Sequence, residues 1–256
     1  MGRRESYDAG VFSWTDLSTT DVDAAKALYA DLFGWDYDDQ PIPGGGTYSM
    51  ARVDGLAVAG LSAVQAEGQP PAWTAYVTVD DVDASASKAA ELGGTLLAEP
   101  FDVMDAGRMA VIADPTGAVF AIWKAGTSIG AELVNGHGLL SLTQLNTTDP
   151  DRATEFYSEL FGWRVEATEG TETPYWGIYL GDSLNAGMML MPADQGVPPH
   201  WLVYFGIDDV DAVAETLGAA GGTLLVPKMQ VPGGEIVVGQ DPQGAVFGVF
   251  EGRFDE

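Results

Sequence analysis

The sequence has no cysteine and only two histidines, His137 and His200. Without thiolates there is no disulfide, no cysteine nucleophile and no Cys-ligated zinc or iron–sulfur site. Cations are scarce as well: 11 Lys plus Arg stand against 38 Asp plus Glu, a formal charge of −27. That excess repels phosphate backbones and anionic headgroups, which sets nucleic acids and membrane surfaces aside as partners. No apolar run approaches the ~20 residues needed to cross a bilayer. The opening Met1-Gly-Arg-Arg-Glu-Ser-Tyr-Asp has no apolar stretch behind its arginines and does not read as a secretory signal. The expectation is a soluble cytoplasmic protein. Its 256 residues, 46% hydrophobic and 10% aromatic, suffice for two domains that each bury a core.

Repetition is the strongest positive signal. Asp21-Val-Asp-Ala-Ala-Lys-Ala-Leu-Tyr-Ala-Asp-Leu-Phe-Gly-Trp35 returns as Asp149-Pro-Asp-Arg-Ala-Thr-Glu-Phe-Tyr-Ser-Glu-Leu-Phe-Gly-Trp163. The same offset carries Trp73 onto Trp201, Tyr76 onto Tyr204 and Gly93-Gly-Thr-Leu-Leu97 onto Gly221-Gly-Thr-Leu-Leu225. One deletion later, Asp114-Pro-Thr-Gly-Ala-Val-Phe120 meets Asp241-Pro-Gln-Gly-Ala-Val-Phe247. A fainter repeat lies inside each half, where Asp21-Val-Asp-Ala matches Asp81-Val-Asp-Ala and Gly34 falls on Gly94. Four copies are too few for a stacked solenoid, so the copies are expected to pair.

Each copy reads as a strand, a helix and three strands. Val22, Ala25, Leu28, Tyr29, Leu32 and Phe33 form one stripe at helical spacing, and Gly34 stands where a left-handed cap is wanted. In the second half Asp149 is a candidate N-cap, with Pro150 at the first helical position. The expected fold is α+β, four βαβββ modules (11–65, 72–124, 138–192 and 199–251) paired into two half-open-barrel domains, 1–126 and 138–256. The Gly-rich stretch 127–137 is expected to link them.

Asp-x-Asp at each helix start, extended to Asp-x-Asp-x-Ala at Asp21 and Asp149, and Asp-Pro-x-Gly before the last strand resemble the vicinal oxygen chelate superfamily of glyoxalases, bleomycin-resistance proteins and dioxygenases. A closer resemblance, to a two-domain glyoxalase-like group of actinobacteria, is carried by Trp14-Thr-Asp-Leu-Ser-Thr-Thr-Asp21, Pro41-Ile-Pro-Gly-Gly-Gly46, Gly107-Arg-Met109 and Asp114-Pro-Thr-Gly-Ala-Val-Phe120. The resemblance implies sheets curled into cups with chemistry or binding inside. In the superfamily's enzymes it also implies one divalent ion, held by His, Gln or Glu at positions that here are Trp14, Thr74, Leu142, Leu202, Ala121 and Gly248. The stretches Leu56–Leu61 and Ala186–Met191, where a further glutamate is implied, hold no carboxylate or imidazole. An indole nitrogen only donates and alkyl groups have no lone pair, so no metal and no other cofactor is expected.

Strand alternation sends Trp14, Asp16 and Ser18 into the first cup and Leu142, Gln144 and Asn146 into the second. Tyr76 and Trp123 join the first set, Tyr204 the second. His200 opens a strand and is a candidate ligand contact, whereas His137 reads as a solvated linker residue. Two roles stay open for the aromatics: packed core, or flat walls for a planar ligand. Asp16 is either a buried acceptor or a ligand anchor and catalytic base, with Arg108 as its candidate partner. The expected function is metal-free binding of a small aromatic or apolar metabolite in specialised metabolism or resistance. The alternatives are a cofactor-independent oxygenase, hydroxylase or lyase acting on an aromatic polyketide and, further off, a metal-dependent glyoxalase. The halves are expected to pair within one chain as a monomer, or the chain to form a homodimer.

Overall fold

The computed structural model describes residues 2–43, 45–171, 173–192 and 196–253. The first half runs β2 (Phe12–Thr19), α1 (Val22–Phe33), β3 (Asp36–Pro41), β4 (Thr47–Val53), β5 (Leu56–Ala63), β6 (Ala72–Thr78), α2 (Val82–Glu91), β7 (Thr95–Val103), β8 (Gly107–Ala113) and β9 (Val119–Ala125). The second half runs β11 (Leu140–Thr147), α3 (Pro150–Phe161), β12 (Arg164–Ala167), β13 (Tyr175–Leu180), β14 (Ser183–Leu190), β15 (His200–Gly206), α4 (Val210–Ala219), β16 (Thr223–Val231), β17 (Gly234–Gln240) and β18 (Val246–Gly252). A short ribbon of β1 (Gly2–Arg3) and β10 (Leu133–Val134) ties the amino terminus to the segment between the halves. Among the described residues no helix is long and apolar enough to cross a membrane.

Local chemistry sets the helix ends. Asp21 accepts from the Ala24 backbone N–H at 3.0 Å and Asp149 from that of Arg152 at 3.0 Å, each satisfying a free first-turn donor. Gly34 and Gly162 close α1 and α3 in the left-handed conformation.

Each half is one eight-stranded sheet, ordered β3-β4-β5-β2-β6-β9-β8-β7 and β12-β13-β14-β11-β15-β18-β17-β16. Two four-stranded modules meet antiparallel at β2–β6 and at β11–β15, while within each module the first strand runs parallel to the last. The fold is α+β, and neither sheet closes into a barrel.

The two halves pack through their helix-bearing faces around one shared core. Each half supplies a tryptophan pair that encloses a phenylalanine of the other. Trp35 and Trp73 lie 5.4 and 5.0 Å from Phe205, and Trp163 and Trp201 lie 5.5 and 4.9 Å from Phe12. With the helix faces turned inward, the residues of the two cups form separate clusters apart from this core. A β-bulge between Phe12 and Trp14 makes this division possible within one strand. Strict alternation would put both rings on the same face; the extra residue sends Phe12 to the shared core and Trp14 to the cup. Leu140 and Leu142 are split in the same way in β11.

Candidate functional site

The first cup is floored by consecutive cross-strand neighbours. Trp14 on β2 faces Tyr76 on β6, which in turn faces Ala121 on β9, and Asp16 sits between Gly60 of β5 and Thr74 of β6. Trp123 pairs with Met109 of β8, so an indole and a thioether build the neighbouring wall. Together they enclose a cavity of about 450 Å³, a size that suits a small molecule. Its mouth is formed by Pro41, Ile42 and Pro43 on one side and by the β7–β8 hairpin on the other, where Phe101 and Met104 are 44% and 58% exposed.

The segment 127–137, expected only as a connection, completes this wall. Ser128 and Gly130 line the cavity, and the Ser128 carbonyl accepts from Trp123 Nε1 at 3.1 Å. Ala131 donates its N–H to Ser13 O at 2.7 Å, and Glu132 both donates to Ala57 O and accepts from Ala57 N, at 2.8 and 2.7 Å. These contacts hold the segment against β2 and β5.

One polar cluster interrupts the apolar lining. Tyr76 Oη donates to Asp16 Oδ2 at 2.8 Å, and Tyr48 Oη approaches the same oxygen at a longer 3.4 Å while accepting from Trp14 Nε1 at 3.0 Å. Among the described residues no protein donor is directed at Asp16 Oδ1. Burial lifts the Asp16 carboxyl from its ordinary 3.8 to about 6, against the two tyrosine hydrogen bonds, which pull it down. Burial, reinforced by the Asp16 charge, keeps the Tyr48 and Tyr76 phenols protonated far above their ordinary range. The cluster thus presents one carboxylate with an open oxygen, buttressed by two neutral phenols.

Of the expected first-cup residues, Trp14, Asp16, Tyr76 and Trp123 converge on the cavity. Arg108 does not, which corrects its expected pairing with Asp16. Its guanidinium makes two contacts of 2.8 Å to Asp83 at the start of α2 and one of 2.9 Å to Asp102. Alternation along β8 is the reason: Met109 faces the cavity, so its neighbour Arg108 faces the helix side. Tyr48 was missed by sequence reasoning, although it carried a readable signal. Gly60 lies inside a strand, where glycine marks a close approach, and a Cβ there would lie 1.9 Å from Tyr48 Oη.

The second cup repeats the geometry with different chemistry. Gln144 pairs with Gly187 as Asp16 does with Gly60, and Tyr175 lies over Gly187 as Tyr48 lies over Gly60. Gln144 Nε2 donates to Asn146 Oδ1 at 2.8 Å, and Asn146 Nδ2 meets His200 Nε2 at 3.1 Å. His200 Nδ1 lies 2.9 Å from Pro198 O; the carbonyl can only accept, so the ring proton sits on Nδ1 and Nε2 accepts from Asn146. Tyr204 packs with Leu142, Leu202, Ile236, Val238 and Phe250. Polar groups here bond to one another, and no carboxylate takes the place of Asp16. His137 lies outside both cups, with Nδ1 accepting from the Asp208 N–H at 3.1 Å.

The donor set does not suit a divalent ion. Trp14 Nε1 is a donor already spent on Tyr48, Ala121 has no lone pair, Thr74 offers only a neutral hydroxyl and Asp102 is paired with Arg108, which leaves Asp16 as the one unpaired carboxylate among the described lining residues. Among the described residues no group of three His, Asp or Glu could hold a metal.

Paired βαβββ modules with an enclosed cup define the class, and the comparisons define the family. The model of the Glyoxalase/Bleomycin resistance protein/Dioxygenase superfamily matches residues 11–122 and again 139–249. The chain belongs to this superfamily. It is 43% identical over 256 residues to "Putative glyoxylase CFP32" of Mycobacterium tuberculosis (strain CDC 1551 / Oshkosh), covering 98% of both chains. It is 34% identical over 263 residues to the anthracycline biosynthesis protein DnrV of Streptomyces peucetius, covering 96% of this chain and 95% of that one. The Mn(II)-bound glyoxalase from Novosphingobium aromaticivorans superposes with a TM-score of 0.66 at 16% identity, over 95% of this chain and 82% of that one. The 2,3-dioxygenase LapB from Pseudomonas sp. KL28 gives 0.64 at 13%, over 97% and 95%. At such identities the structures share the fold alone.

Proposed function

We propose that this protein binds a small planar aromatic or apolar metabolite in its first cup, without a metal ion, and acts in the cytoplasm in specialised metabolism or resistance. The observation that carries the reading is the cavity itself: Trp14, Tyr76 and Trp123 converge on a single carboxylate, with apolar residues around the mouth. Burial of a flat ring against such walls supplies affinity, and the Asp16 cluster supplies orientation. The name of DnrV, from anthracycline biosynthesis, supports an aromatic polyketide as the kind of molecule handled.

The test is a panel of planar aromatic compounds, read by thermal shift and tryptophan quenching, beside elemental analysis of tag-free protein grown with Ni, Zn, Fe and Mn. Saturable binding that survives chelation, with metal far below one per chain, is the expected result. Metal near one per chain would return the protein to the metal-dependent branch. Failure of every compound to bind would remove the ligand reading.

A second reading rests on the Asp16 carboxyl. Held at about 6, with Oδ1 open to the cavity, it is placed to take a proton from a bound ring as a general base. Turnover of a bound aromatic that disappears in Asp16→Asn would turn the binding protein into a cofactor-independent enzyme.

A further inference from the structure

The unpaired charge of the first cup is negative. Among its described lining residues the acids are Asp16 on the floor and Asp102 at the rim, and no Lys, Arg or His lines it. Asp102 is paired with Arg108, which also binds Asp83, so Asp16 is the carboxylate left without a counter-charge. Around Asp16 stand the rings of Trp14, Tyr48, Tyr76 and Trp123, with Phe101 at the mouth. Aromatic faces attract cations and repel anions. A carboxylate left without a counter-charge in such surroundings is costly, and a bound cation offsets that cost. The chain's net charge of −27 adds a field in the same direction.

We propose that the ligand of the first cup is an aromatic amine in its cationic form, its ammonium group seated on Asp16 Oδ1 and its ring held between the aromatic walls. This rests on the ligand-binding reading above and adds a charge class to it. Three features favour an ammonium over a neutral hydroxyl. Among the described residues Oδ2 already receives both phenols while Oδ1 receives none, the surrounding rings reward positive charge, and no Lys, Arg or His lines the cavity to compete for the site. The second cup serves as an internal contrast: Gln144 replaces Asp16 there and bonds to Asn146, so a cation meets an amide at that position in place of a carboxylate.

A matched set of probes separates this inference from the reading beneath it. 2-Naphthylmethylamine, 2-naphthylmethanol and 2-naphthoate share a ring and differ in charge; each is titrated into the full chain by calorimetry at pH 7.5. The expected order is amine, then alcohol, then carboxylate, with the amine at least tenfold tighter than the alcohol. In Asp16→Asn the amine's advantage over the alcohol should fall at least fivefold, to what the aromatic walls alone supply. Wild type provides a second check, because lowering the pH from 7.5 to 5 protonates Asp16 while the amine stays charged. The groups facing Asp16 are the neutral Tyr48 from β4 and Tyr76 from β6, with Asp102 on β7 at the mouth and Gly60 of β5 bringing no side chain. The amine's advantage should therefore shrink several-fold over that range. Equal binding of amine and alcohol by wild type would overturn the cationic assignment and leave an aromatic site. A preference undiminished in Asp16→Asn and at pH 5 would overturn the role of Asp16. Binding of none of the three would overturn the assignment together with the reading beneath it.

Discussion

Tyr29 Oη donates to Asp241 Oδ2 across the two halves at 3.1 Å, and Tyr157 Oη returns the contact to Asp114 Oδ2 at 2.9 Å. Both carboxylates belong to Asp-Pro-x-Gly turns. In each turn Oδ1 accepts three backbone N–H groups, which leaves Oδ2 for the tyrosine of the opposite half. Both tyrosines also accept from an indole of their own half, Trp73 at 3.0 Å and Trp201 at 2.8 Å. A second reciprocal pair joins Trp35 Nε1 to Gly138 O and Trp163 Nε1 to Gly10 O, at 2.7 and 2.8 Å. The most repetitive residues of the chain therefore fasten the halves together.

Removing a clasp leaves buried groups without partners. Tyr29→Phe strips the donor from Asp241 and the acceptor from Trp73, and should cost about 1–3 kcal/mol in urea unfolding. Tyr157→Phe should behave alike. Asp241→Asn added to Tyr29→Phe should cost less than the sum of the two single changes, because both remove the same contact. Additive costs in that double-mutant cycle would show that the tyrosine and aspartate are not coupled.

These clasps explain what was legible in the sequence and what was not. The repeats announced four modules, and the helix cap at Asp149 followed from local chemistry, with Asp21 its equivalent in the first half. Alternation placed Asp16 and Tyr76 on the cup face because they lie beyond the bulge on β2 or on a regular strand. Yet the Asp-Pro-x-Gly turn, readable as a family mark, and the Phe-Gly-Trp ending, readable as part of the repeat, gave no sign that their partners lay in the other half. A contact across so many residues leaves no local pattern. Tyr48 was hidden for a related reason: its partner signal, Gly60, stands on a different strand, and only the β4–β5 pairing brings the two together. In Gly107-Arg-Met109 the sequence offers Arg108 as a cationic partner for Asp16, but the pleat turns its neighbour Met109 to the site.

That correction has a direct check. Arg108→Ala should leave ligand affinity in the first cup within about twofold, since its ion pairs lie on the exposed helix side, where such pairs contribute little. Met109→Ala removes a wall beside Trp123 and should weaken binding by about tenfold, comparable to losing a buried contact of 1.4 kcal/mol. The reverse pattern in titrations would restore Arg108 to the site.

The Asp16 carboxyl should make the ligand-free protein less stable at neutral pH than in mild acid. Its folded-state value of about 6 lies above the ordinary 3.8, so the folded state holds this proton more tightly than the unfolded chain. Stability from this group is therefore complete below about 4, falls as pH rises, and is gone above about 6. The rise corresponds to at most roughly 3 kcal/mol. Asp16→Asn cannot ionise and escapes the loss. Its unfolding free energy should exceed that of wild type at pH 7.5, and the gap should close near pH 4. A gap that is constant across this range would mean that Asp16 titrates alike in the folded and unfolded states.

Gly60 and Gly187 give the sharpest comparison of the two cups. A Cβ at either position would lie 1.9 Å from Tyr48 Oη or 1.8 Å from Tyr175 Oη, far inside contact distance. Gly60→Ala and Gly187→Ala should each displace one tyrosine and cost about 1–3 kcal/mol in overpacking. Their effects on binding should differ. Displacing Tyr48 pushes a ring into the first cavity and breaks its links to Trp14 and Asp16, so Gly60→Ala should lose ligand affinity by about tenfold or more. Displacing Tyr175 disturbs only the second cup and should leave that affinity unchanged. Equal losses in both variants would mean that ligand enters both cups. Unchanged affinity in Gly60→Ala would remove Tyr48 from the site.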